Sequence, residues 1–167
     1  MKNMRIALAA VLLAGLLGIG VGQTSAQHLL GADELGKVVP TEFFFRGQKA
    51  PTQLRNAAGF QMAEGKIVFA ALVDASGYST AIQQKYQGML VTECKLSIGG
   101  TDLPPGEYGF GFTADKFLVM DVANENQLSV PFQTDADLKR AVPLKMIEEG
   151  GGYRLYAGKK WVVVKSE

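Results

Sequence analysis

Past residue 26, the apolar positions of this chain fall in short runs separated by Gly, Pro, Asn and Asp. Evenly spaced short runs with turn residues between them predict an antiparallel all-β fold. Residues 66–74 (KIVFAALVD) are apolar throughout their middle, β-branched at Ile67, Val68 and Val73 and bounded by Gly65 and Gly77, the pattern of a buried strand. Phe43, Phe44 and Phe45 form a second dense apolar run, the pattern of a short buried strand, and residues 60–62 resume an alternation. Tyr108, Phe110 and Phe112 alternate with Gly109 and Gly111, which places three aromatic rings on one face of a strand and bare backbone on the other.

Further strands are expected over residues 89–98, 117–123, 127–133, 142–147, 153–157 and 161–165. Residues 46–56 (RGQKAPTQLRN) read as a polar loop, broken by Gly47 and Pro51. A single helical turn is expected near residues 32–36 and another at 135–140. Residues 79–88 are the best longer helix, with Thr80 and Gln83 at capping-box spacing and Gly88 as a stop. The sum is a single antiparallel β-sandwich or small barrel of about eight or nine short strands with one or two short helices.

Ahead of this domain the pattern changes. Lys2 and Arg5 precede residues 6–21, which carry no charged or strongly polar side chain, and the small residues Thr24 and Ala26 follow. A positive start, an apolar stretch and a small-residue site compose a secretory signal. Cleavage after Ala26 leaves residues 27–167 as one β-rich domain, exported to the periplasm or the medium. The competing reading is an uncleaved N-terminal anchor. Gly15, Gly18 and Gly20 weaken a helix there, and a spanning helix wants about 20 apolar residues.

Charge and composition narrow the chemistry. Without Lys2 and Arg5, fifteen basic residues face sixteen acidic ones, a net charge of −1. No basic cluster extends beyond Lys139-Arg140 and Lys159-Lys160, so nucleic-acid binding is not expected. No second apolar stretch is long enough to span a membrane as a helix. Cys94 is the single cysteine, so no internal disulfide forms, and its apolar neighbours predict a buried thiol. His28 is the single histidine and sits near the expected mature terminus. A Ser-His-Asp or Cys-His centre needs a positioned imidazole, and zinc centres usually need two or three, so neither a catalytic residue nor a metal or cofactor is assigned. Carboxylate chemistry is the one catalytic class well supplied, through Asp74, Glu93, Asp102, Glu107 and Asp121.

Candidate binding residues come from two places. In the 46–56 segment, Arg46, Gln48 and Arg55 offer donors, and the two guanidinium forks suit an anionic group. Tyr108, Phe110 and Phe112 either line an apolar ligand cavity or pack a core.

The segment Ile98-Gly99-Gly100-Thr101-Asp102-Leu103-Pro104-Pro105-Gly106-Glu107-Tyr108 resembles a hairpin of exported bacterial β-domains of unknown function, in which a glycine pair precedes Leu-Pro-Ala-Gly-x-Tyr. Arg46-Gly47-Gln48 is loosely similar to the Arg-Gly loop of those domains, whereas Pro105 replaces their usual Ala. The resemblance implies export and a β-sandwich or barrel, and no activity.

Together these features give an exported, noncatalytic β-domain that binds a small apolar or anionic ligand or a protein of the cell envelope. A structural or assembly role without a small-molecule ligand is the main alternative, and a carboxylate hydrolase the third. The oligomeric state stays open.

Overall fold

The computed structural model describes residues 27–167, and the expected signal segment lies outside the described residues. Among those residues the chain forms two antiparallel sheets. The larger contains, in spatial order, β1 (His28–Leu29), β3 (Gln48–Gln61), β4 (Ile67–Val73), β5 (Gly88–Thr92), β8 (Gly106–Phe112), β9 (Phe117–Asp121) and β10 (Asn126–Val130), with β2 (Glu42–Phe45) on β3. The smaller runs β12 (Val142–Glu149), β13 (Gly152–Gly158), β14 (Lys160–Ser166), β6 (Leu96–Ile98) and β7 (Thr101–Leu103), with β11 (Gln133–Thr134) on β14. Two short helices, α1 (Ala32–Val38) and α2 (Thr80–Gln83), complete the inventory.

Fourteen strands exceed the expected eight or nine because several are only two or three residues long and because one expected loop is a strand. Residues 48–61 form β3, the longest strand, although its first half is polar. That half buries little beyond Ala50, so hydrophobic periodicity gives no signal there. Pro51 is tolerated because it faces Glu42 next to the bonded Phe43–Ala50 pair, where the ladder to β2 does not use its missing N–H.

Residues 89–98 are likewise two strands in two sheets. The corner is made by Thr92, the one buried polar residue among the described residues, whose hydroxyl donates to the Cys94 carbonyl (2.6 Å) and accepts from the Cys94 N–H (3.3 Å). The expected helix at 79–88 shrinks to α2, and Gly88 belongs to β5. Gln83 does not close a capping box. Its amide instead donates to the Tyr78 carbonyl (2.7 Å), outside the helix. Residues 135–140 contain no helix, since the Asp135 carboxylate takes the N–H groups of Asp137 and Leu138 into a side-chain turn.

Apolar side chains of both sheets fill the space between them. Phe60 of β3 stacks on Tyr153 of β13 with ring centres 3.9 Å apart, and Phe110, Phe112 and Phe117 pack beside Leu96, Ile98, Leu155, Val162 and Val164. Cys94 is buried in this core, as expected. The larger sheet is covered on its other face too, where Phe69, Ala71, Val73, Met89 and Met120 lie under Leu35 of α1, Phe43 and Phe45 of β2, and Tyr78, Ile82 and Tyr86. β4 is therefore sandwiched from both sides, which explains its unbroken apolar sequence.

Candidate functional site

The second layer is held down by glycines. Phe45 and Tyr86 stack with centres 4.1 Å apart, and both lie on Gly109, where a Cβ would meet the Phe45 ring at 2.6 Å. At Gly111 a Cβ would collide with the Lys85 carbonyl oxygen. The bare face of β8 thus receives a backbone and two aromatic rings of the chain itself.

Above it, β2 and β3 form a two-residue hairpin. Phe45 faces Gln48 across Arg46 and Gly47, and both turn residues have positive φ (51° and 74°). This is the turn geometry whose twist matches a hairpin, and Arg46 adopts it despite its side chain. The Tyr78 hydroxyl lies 2.9 Å from the carbonyl oxygens of both Phe45 and Gln48 and clamps the turn to the second core. The Arg46 N–H donates to the Val122 carbonyl (2.7 Å), joining the hairpin tip to the end of β9.

Beside this hairpin a groove of about 600 Å³ is lined by Val38, Pro40, Glu42, Phe43, Phe44, Phe69, Met89, Val91, Glu107 and Val122. Its walls are mostly apolar. Phe44 is 56% exposed and Val122 46% exposed, the most exposed large apolar residues among those described other than Leu54. Phe43 and Phe45 point into the core, so Phe44 must point away from it. The dense run reads as a buried strand, and the structure corrects this at Phe44, because an extended strand cannot turn three consecutive rings to one face. The two acidic residues differ: Glu42 pairs with Lys49 (2.9 Å), while the Glu107 carboxylate has neither an ion pair nor a hydrogen bond among the described residues.

A second depression, of about 610 Å³, opens at the α2 end of the two sheets. Gln53, Leu72, Asp74, Gln87, Phe112 and Lys160 are among its lining residues. Much of its polarity is already used. Gln87 accepts from the Phe112 N–H (2.9 Å) and donates to the Phe112 carbonyl (3.1 Å), while the Ser76 hydroxyl and N–H hold the Asp74 carboxyl below its usual range. Lys160 donates to the Thr113 carbonyl (2.6 Å), lies over the Phe132 ring and has no carboxylate partner among the described residues.

The sequence candidates are dispersed. Arg46 sits at the hairpin tip, Gln48 opens β3, and Arg55 is an exposed residue within the irregular stretch of β3 between Gln53 and Ala57. Arg46 and Arg55 are thus not placed as a paired clamp. Tyr108 and Phe110 are core side chains, and Tyr108 spends its hydroxyl on the Pro104 carbonyl (2.9 Å). Phe112 is both core and rim of the α2-end depression. Four of the five candidate carboxylates are occupied one by one, Asp74 by Ser76, and Glu107 alone has no side-chain partner among the described residues. Glu93 accepts from the Ile67 N–H, Asp121 from Ala123, Glu125 and Gln127, and Asp102 shares Lys95 with Glu167 on the open surface. Sequence reasoning missed Val38, Val91, Val122 and Lys160, whose placement depends on which strands become neighbours.

No family model, curated protein or solved structure matches the chain.

Proposed function

We propose that the chain is an exported, noncatalytic β-domain whose task is to bind, and that its ligand is a protein of the cell envelope. One observation carries this choice: large apolar side chains from both sheets fill the space between them, while apolar surface remains open along β2 at Phe44 and Val122. A carrier of small apolar molecules needs an apolar cavity, and the aromatic face of β8 is spent on packing. Exposed apolar surface rimmed by polar groups suits protein contact. A second reading, a small anionic ligand in the α2-end depression, rests on Lys160, whose ammonium has no carboxylate partner among the described residues.

The test is native mass spectrometry of protein purified gently from its own host, paired with crosslinking in the intact envelope. The expected result is a chain that starts at Gln27, carries no small-molecule adduct, and crosslinks to a protein. An adduct that disappears on denaturation would move the function to the second reading. A chain that retains Met1 would overturn export by cleavage.

A further inference from the structure

We infer that the groove beside β2 takes an extended segment of the partner as an added strand, with apolar side chains in the groove and a basic side chain against Glu107. This rests on the protein-binding reading above and specifies how the partner is recognised.

The backbone argument comes first. Among the described residues β2 pairs with β3 alone. In a two-residue hairpin the residues flanking the turn form a hydrogen-bonded pair, and bonded pairs then recur at every second residue. Phe45 and Phe43 therefore bond to β3, and the N–H and C=O groups of Phe44 and Glu42 point to the other side. The chain already uses that side once, at the hairpin tip, through the Arg46 N–H to Val122 bond. Beyond it, no backbone partner for Phe44 or Glu42 exists among the described residues. The groove follows this edge, from Val122 at one end to Val38 and Pro40 at the other. An unpaired edge beside an apolar groove is the arrangement that accepts a strand: the main chain supplies affinity and alternate side chains supply selection.

Charge then selects the occupant. Glu107 projects from the outer face of β8 beside Val91 and is the groove's one carboxylate without an ion pair among the described residues, because Glu42 is held by Lys49. A lysine or arginine on the incoming segment would complete it. An acidic segment would meet two carboxylates.

Binding is read by fluorescence anisotropy on acetylated, amidated peptides of alternating leucine and threonine, flanked by lysine or by glutamate. Backbone amide shifts of the protein are followed in parallel. The lysine-flanked peptide is expected to bind about tenfold more tightly than the glutamate-flanked one, the size of one surface ion pair gained against one repulsion. The largest shifts are expected at Glu42, Phe44 and Val122. Glu107→Lys, a surface change that leaves the fold intact, should invert the peptide preference. Phe44→Pro removes the outward N–H and should abolish binding.

Equal binding of both peptides, no effect of Glu107→Lys, or shifts confined to other surfaces would overturn the inference. The broader reading is tested separately, by a photo-crosslinking side chain placed at Phe44 or at Lys160 in the envelope. A protein crosslinked from elsewhere but not from Phe44 sinks the added-strand inference alone, and no protein crosslink from any position sinks both.

Discussion

Two tyrosines of the second core make opposite predictions about a lost hydroxyl. Tyr78 shares its hydroxyl proton between the hairpin carbonyls, whereas the Tyr86 hydroxyl is fully buried with no hydrogen-bond partner among the described residues, and burial raises its ionisation well above the usual phenol range. Removing a hydroxyl that satisfies a buried acceptor costs stability, and removing one that satisfies nothing is close to neutral. The Phe45 and Gln48 carbonyls keep their ladder donors, so Tyr78→Phe should destabilise by about 1 kcal/mol and Tyr86→Phe by less than about 0.5 kcal/mol, measured by urea denaturation. Equal costs would show that the Tyr86 hydroxyl is bonded in solution. Gly111→Ala belongs to the same scale. The Lys85 carbonyl is backbone and cannot swing aside, so overpacking of about 3 kcal/mol is expected.

Elements show where sequence reading succeeds and where it stops. β4 and β8 were legible because each carries its own pattern: an unbroken apolar run for a doubly covered strand, and aromatic–glycine alternation for a face that packs against a covering layer. The first half of β3 was not, because its pairing is fixed by the Arg46-Gly47 turn and by β2, both outside its own side-chain pattern. That turn is also where an element-level change would help. Arg46 holds a φ that asparagine tolerates better, so Arg46→Asn should stabilise the protein by roughly 0.5–1 kcal/mol in a denaturant midpoint.

α1 gives a pH prediction. The Gly31 N–H, and then His28, hold the Glu34 carboxyl below its ordinary value. A carboxyl whose folded value is depressed supports the folded state above the unfolded value near 4.3, and that support is lost as pH falls through the folded value. The start of α1 and β1 should loosen below about pH 4, seen as faster exchange of the Gly31 amide, and Glu34→Gln should remove this pH dependence. A Gly31 amide equally protected across that range would sink the assignment.

For the whole molecule, the question is whether the two sheets open together. β5 of the larger sheet passes into β6 of the smaller through Thr92 and Cys94, and the Cys94 thiol is 3% exposed within the shared core. A reagent can reach that thiol only when the corner opens. If Phe60 on Tyr153 and the surrounding side chains bind the sheets into one cooperative unit, the free energy of exposing Cys94 equals that of global unfolding. The thiol-labelling rate in increasing urea should then give the same stability and the same urea dependence as loss of tryptophan fluorescence from Trp161, which lies in β14 of the smaller sheet. A smaller urea dependence for labelling would mean that the corner opens while Trp161 stays folded. In that case the two sheets are separable units joined at Thr92, and a partner strand added at β2 would stabilise the larger sheet alone.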